Sequence, residues 1–480
     1  MEKISQPVSR VTGIWIITTL VLFVVLALVG FSMRLVQSDV IPIPPGFFYA
    51  KLTLHGLGMA GTMFVGGLAA VWYLLARYVK LSVGLMKIVF VLVLLGVVGL
   101  VTATLVGQFA TGWYVLYPLP FVKTAWGSWA TGLAIISLML LGVGWLLAQL
   151  DILRAIISKY GIGGFLGWNY LSSGEVKEET PPIVLISSVS TVVGSLATVV
   201  GAAMLMMYLI QWISPDITFS ALLMKNMVFL FGHTIVNITM YFGVAVVYEL
   251  LPKFSGRPWK TNKIVAISWN MSLIFVLVAY FHHLYMDFAQ PVALQYLGQF
   301  ASYLSAVPAT VVTVFGVLAQ VYKKGITWSY VPTALAFGVM GWIIGGFIAV
   351  VDSTIMVNVI FHNTLWVPSH FHTYYIMGFV LMLFAFIFDY FAGVKEKLAK
   401  VSLWSMIIGG YGFLTTFAIA GVLSVPRRYA SYKGIPIDSV ANAGVTYALI
   451  GSIFVALLLV GIIIFYMTTL GNFKKKWSEG

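Results

Sequence analysis

Cysteine is absent from this chain of 480 residues. That excludes disulfides, thiolate metal ligands, covalently attached c-type haem and a thiolate-bridged dinuclear copper site within the chain. Charge is scarce too: Asp, Glu, Lys and Arg are 9% of residues, against 61% hydrophobic. No stretch is polar enough to read as a soluble domain, and no internal repeat is visible. Acidic residues are fewer still, 14 against 27 basic ones, for a net charge of +13. Such an excess can signal nucleic acid, but the basic residues are spread over connections between apolar runs and not gathered into a patch. They imply no polyanionic partner.

What is abundant is apolar sequence in runs of about 20 residues, long enough to cross a hydrocarbon core of about 30 Å as helices. Twelve are read, at 13–35, 47–78, 83–108, 126–150, 182–214, 219–252, 263–285, 297–322, 328–351, 356–392, 400–424 and 441–469. The first is too long to be a removable signal peptide. In lipid each backbone N–H and C=O must bond within its own segment, so the fold class is an all-α integral membrane protein, one membrane domain over 1–480. The connection 151–181 is expected to be a solvated loop with at most a short surface helix. Placing the N-terminus inside puts most of the basic residues on that side, among them Arg77, Lys80, Arg154, Lys177, Lys253, Lys323, Lys324 and Lys474 to Lys476. Arg34, Lys51, Lys123, Lys225, Arg427, Arg428 and Lys433 fall outside. The positive-inside rule then sets both termini in the cytoplasm of a bacterium or archaeon.

Seven histidines remain to be explained. His55, His233, the pair His282–His283, and the cluster His362, His370 and His372 all fall toward the outer ends of apolar runs. One polar residue in a buried helix is commonly an interhelical hydrogen bond. An adjacent pair plus a His-x-His at the same depth exceeds that role, because ionisable groups within a membrane mark function. At about 100° per residue, His370 and His372 project about 200° apart and cannot share one ion. They can serve two haems on opposite sides of the tenth run, one haem being shared with His55 and the other having a single protein ligand. His233, His282 and His283 are left, a set of neutral imidazoles that suits non-haem Cu or Fe.

The motifs around these residues resemble the catalytic subunit of the haem–copper oxidase superfamily, in particular its B-type branch, over nearly the whole chain. They are Thr53-Leu54-His55-Gly56, Gly112-Trp113 with Tyr117-Pro118, Gly232-His233 through Leu251-Pro252-Lys253, and Phe281-His282-His283. His362-Asn363-Thr364 through His370-Phe371-His372 and Pro426-Arg427-Arg428-Tyr429 complete the set. The resemblance implies that His55 and His372 bind a low-spin haem of b type. It implies that His370 binds a high-spin haem of b, a or o type, and that His233, His282 and His283 hold the metal facing it. His362, Arg427 and Arg428 would then meet haem propionates, the arginines by charge-assisted hydrogen bonds.

One departure bears on the substrate. Oxygen-reducing members carry a redox tyrosine four residues after the first copper ligand, or, in another branch, on the helix bearing the histidine pair. Here Asn237 stands at the first place, one turn inward from His233 on the same face. Val276 stands near the second, and Tyr280 has the wrong spacing. The resemblance therefore implies reduction of nitric oxide, in which two NO, two electrons and two protons give N₂O and water. Reduction of O₂ to water is the alternative. Nitric oxide reductases of this superfamily have a carboxylate at this place as a ligand, for which Asn237 offers a neutral oxygen ligand or a hydrogen bond.

Asn237, Tyr241 and Tyr248 form a polar stripe descending from His233, continued by Thr310, Thr313 and Glu249 as a proton path. Ala309 and Val312 stand where the family has hydroxyls, which argues against pumping. With no thiolate copper or c-type haem encoded, electrons are expected from a second subunit with a cupredoxin-like domain, fed by cytochrome c or a small copper protein, or from quinol. Lys225 has no part in this scheme. Twelve helices also suit a secondary transporter, a reading that predicts a colourless protein.

Overall fold

The computed structural model describes residues 4–122, 125–171, 178–322, 325–393 and 395–470. Several of the inner-side charges, Lys177, Lys323, Lys324 and Lys474 to Lys476, therefore lie outside the described residues, as does Lys123 on the outer side. The described chain is helical, and twelve of its segments are long and apolar enough to span a membrane. They begin with α1 (Gln6–Gln37), α2 (Pro45–Leu75), and α3 (Val83–Val101) extended by a π-helical turn to Val106. Next come α4 (Ser128–Phe165), α5 (Pro182–Ile213), α6 (Ala221–Ser255), and α7 (Lys263–Ala279) with a 3₁₀ turn, Tyr280–Leu284. After α8 (Val292–Val321) and α9 (Tyr330–Asp352) lies a short α10 (Ile355–Phe361). The tenth span joins α11 (Trp366–His372), a π-helical stretch Thr373–Val380 and α12 (Leu381–Tyr390). The last two are α13 (Glu396–Val422) and α14 (Asp438–Thr469).

The predicted runs and the observed spans agree to within seven residues at each end except in two places, the first span starting at Gln6 and not at 13. α4 does not stop at 150: it runs to Phe165, with a kink where Gly161 takes φ 65°. The buried Asp151 carboxylate explains the continuation. Its Oδ1 accepts from Arg154 at 2.6 Å and its Oδ2 accepts the Ser82 N–H that opens α3, so charge is tolerated there by local pairing. The run 356–392 is the second correction. It is divided, and His362 follows the short α10 instead of sharing a helix with His370 and His372.

Apolar sequence alone does not rank the helices by depth, because lipid and protein interior are equally dry. Packing does. In the most apolar window of each span, 83% of the tenth span's residues, 78% of α5's and 67% of α2's and α6's are buried, against 22% for α8 and 33% for α1 and α3. The histidine-bearing α2, α6 and tenth span thus occupy the interior. Large aromatic side chains lock them there: Phe64 of α2 meets Phe242 of α6 at 5.8 Å, and Gly67 leaves room for Phe379.

Candidate metal centre

A single cavity of about 720 Å³ is lined by all seven histidines, together with Asn237, Arg34, Arg427 and Arg428. Within it the structure sorts the imidazoles into three groups.

His55 on α2 and His372 on α11 form the first. Their rings lie 6.4 Å apart, centre to centre, and 14° from parallel. Two imidazoles bound to one iron at about 2 Å each place their ring centres about 6 Å apart. Both Nδ1 atoms are engaged, His55 donating to Leu26 O at 2.8 Å and His372 to Pro368 O at 2.8 Å. Such bonds set the tautomer and free Nε2 as a ligand. Gly30 makes room for this arrangement: a Cβ there would lie 2.5 Å from His55 Cε1. Gly112 N–H, from the outer loop, donates to Thr53 Oγ1 at 2.8 Å and pins that loop two residues from His55.

His370 is the second group. It leaves α11 in another direction, and its Nδ1 donates to Gly345 O of α9 at 3.0 Å, again freeing Nε2. The third group is His233 with His282 and His283, whose ligand atoms all lie within 4.8 Å of one another. His233 Nδ1 and His283 Nε2 are 3.2 Å apart. Two nitrogens at about 2 Å from one tetrahedral ion are separated by about 3.3 Å. Ser302 gives its own proton to Gly298 O, so its oxygen accepts from His282 Nδ1 at 2.9 Å and leaves His282 Nε2 for an ion. Spacing alone did not point to Ser302, which is brought in from α8. The 3₁₀ turn at the end of α7 carries the adjacent pair, with ring centres 4.2 Å apart.

Asn237 touches the far edge of the His233 ring. Its amide nitrogen donates to His233 O at 2.8 Å and lies 3.2 Å from His233 Nε2, while Nδ1 faces the other imidazoles. Asn237 therefore stands on the Nε2 side of the His233 ring and not among the nitrogens that the three imidazoles turn toward one another.

One rim of the cavity is built by two distant segments. Leu365 N–H donates to Val425 O and Arg427 N–H to Asn363 O, both 2.9 Å, and Thr364 bridges Pro426. His362 and the arginine pair are thereby brought together. Arg427 Nη2 donates to Asn363 Oδ1 at 3.2 Å, its Nε is buried without a partner among the described residues, and Arg428 lies 4.3 Å over the Tyr114 ring. Burial, then Arg428, pushes the Arg427 guanidinium below its ordinary range; burial likewise lowers Arg428. Guanidiniums do not give up their protons in proteins, so the pair calls for an anion. Burial and then the two arginines also lower His362 to about 4, so it is neutral at pH 7, and its Nδ1 donates to Asn358 Oδ1 at 3.1 Å. Arg34 was read only as an outer charge, yet it is 4% exposed, bonds Gln37 at 2.6 Å and stacks 4.6 Å over Phe417 beside His372. Its position inside an apolar run was the available signal.

These features fit two haems and one further ion: free Nε2 atoms, a nearly parallel imidazole pair, and buried guanidiniums that form no direct ion pair among the described residues, Asp352 acting on Arg427 only at longer range. Below His233 the polar stripe is partly assembled. Tyr248 OH donates to Thr313 Oγ1 at 3.0 Å, since Thr313 gives its own proton to Ala309 O. Tyr241 is buried edge-on against Trp269. Among the described residues, Thr310 bonds only back to Ala306 O. Glu249 points the other way, accepting from Arg77 at 3.1 Å and from Tyr78 OH at 3.0 Å, because neighbouring helix positions diverge by about 100°. It does not join the stripe.

The model of the family described as cytochrome c and quinol oxidase polypeptide I matches residues 10–457. Cytochrome c oxidase subunit 1 of Thermus thermophilus is 24% identical over 411 residues, covering 79% of this chain and 69% of that protein. That of the scallop Pecten maximus is 26% identical over 337 residues, 68% of this chain and 66% of that protein. Matches to Alkalihalophilus pseudofirmus cytochrome c oxidase subunit 1 and to a heme-copper oxidase subunit I+III of Aeropyrum pernix span 38% and 28% of those proteins. The fold superposes on a heme-copper terminal oxidase dimer with TM-score 0.81 and 18% identity, covering 98% of this chain and 84% of that one. Nothing in these matches favours a transporter. The chain belongs to the cytochrome c and quinol oxidase polypeptide I family, the membrane subunit I of haem–copper oxidoreductases, a family that implies haems and a further metal centre.

Proposed function

We propose that this subunit reduces nitric oxide to N₂O. His55 and His372 hold the low-spin haem, His370 the high-spin haem, and His233, His282 and His283 the non-haem ion, Cu or Fe. Arg427, Arg428 and His362 receive propionates. The bound metals supply the electrons and the place where the gas binds. The chain's own part is to orient the imidazoles, to exclude water with the apolar wall, and to pass protons.

The observation that carries the substrate is the contact at His233. Among the described residues, the hydrogen bonds and ring contacts of the three imidazoles run to one another, to Asn237, to Ser302 and to Phe229. None is a tyrosine. Cleaving O–O in one step draws on a phenol for an electron and a proton; joining two NO does not. Oxygen reduction is the second reading, favoured by the relatives named cytochrome c oxidase. The purified, reduced complex supplied with NO should form N₂O, measured by mass spectrometry. Fast four-electron consumption of O₂ with no N₂O would instead establish the second reading.

Protons are taken up from the cytoplasm through Tyr248, Thr313 and Tyr241 toward Asn237. Both termini face the cytoplasm. Electrons come from a partner subunit with a cupredoxin-like domain on the outer face, served by cytochrome c or a small copper protein, with quinol as the other source.

A further inference from the structure

Lys225 lies in the second turn of α6 and on the wall of the cavity. Its ammonium donates to Asp287 Oδ2 at 2.7 Å, the two side chains being 33% and 18% exposed. Asp287 follows His283 by four residues. The segment between them and α8 is folded by successive turns, with Asp287 N–H donating to Leu284 O at 2.9 Å and Gln290 N–H to Asp287 O at 3.0 Å.

The neighbouring Asn226 engages the same segment. Its Oδ1 accepts from Tyr280 OH at 3.2 Å and from Gln290 Nε2 at 3.0 Å. Asn226 precedes His233 by seven residues, about 20° from its direction around the helix, so it shares the face that carries the ligand. Tyr280 stands just before the histidine pair, and Asp287 and Gln290 just after it. Three side chains bracketing His282–His283 thus converge on two consecutive residues of α6.

We propose that the Lys225–Asp287 ion pair, backed by Asn226, is a clasp that sets the distance between His233 and the His282–His283 arm, making Lys225 a positioning residue for the non-haem ion. The inference rests on the reading that these three imidazoles hold a metal. The physical need is plain. α7 gives way to a 3₁₀ turn at Tyr280, so the helix does not itself hold the pair against α6. Beyond the single His233–His283 contact, three neutral imidazoles hold one another only weakly without an ion. A partly buried ion pair is worth more than a surface one, and removing one partner leaves the other uncompensated.

The test uses the purified complex dialysed against EDTA, with copper and iron measured by plasma mass spectrometry and both haems by their reduced spectrum. Lys225→Met and Asp287→Asn should keep both haem bands and lose the non-haem metal about tenfold faster than wild type, the lower end of what outer partners of metal ligands contribute. Lys225→Arg, which keeps the charge, should retain it. Metal retention in the two neutral variants equal to wild type overturns the clasp. So does loss of haem in step with metal, which marks general misfolding. A wild-type complex without non-haem metal overturns the metal-site reading itself.

Discussion

The imidazoles of His55 and His372 stand face to face, 6.4 Å apart and 14° from parallel, although the two residues are 317 positions apart in sequence. Each is tied through Nδ1 to a backbone carbonyl, so both Nε2 atoms are available in the space between the rings. His370, two residues from His372, is tied to α9 and serves a different place. This division of labour leads to separable spectral consequences.

His372→Ala should remove the low-spin haem signal while leaving the high-spin haem, and His370→Ala the reverse. The reduced-minus-oxidised spectrum with haem extraction checks this, with one of two haems expected to vanish in each variant. Loss of the same haem in both would show that the two histidines do not serve separate pigments.

Asn237→Ala should lower N₂O formation by about tenfold or more, in line with the effect of partners that orient metal ligands. The His233 ring then loses the amide against Nε2. Haem content should not change. Steady N₂O production at the wild-type rate would remove Asn237 from the mechanism.

Arg427→Met should lower the midpoint potential of at least one haem, by on the order of 50 mV, the equivalent of about 1 kcal/mol for one electron. The sign follows from charge: a nearby cation stabilises the added electron, and this one has a buried Nε without a partner among the described residues. A redox titration followed in the visible band measures it. An unchanged potential would place the guanidinium away from the haems.

Tyr248→Phe and Thr313→Val should each slow turnover several-fold without bleaching the haems, and the double variant should be little slower than either. Residues in one hydrogen-bonded unit are not additive, and their oxygens are 3.0 Å apart. Stopped-flow turnover at fixed donor concentration decides it; unaltered rates in both single variants would take them out of proton delivery.

Twelve spans, their approximate ends and the histidine inventory were legible in the residues themselves, since dehydrating a peptide bond and placing an imidazole in an apolar run are local costs. The angular step along a helix likewise separated His370 from His372. What folding alone decided is where distant surfaces meet. Only packing paired the 362–365 segment with 425–427, directed Ser302 to His282, drew Arg34 inward and turned Glu249 toward Arg77. It also placed Asn237 on the Nε2 side of His233, with His283 on the Nδ1 side. A side chain's direction depends on the azimuth of its helix against its neighbours, which in a chain apolar on nearly every face is set by the fit of one helix to another and not by the run of residues within it.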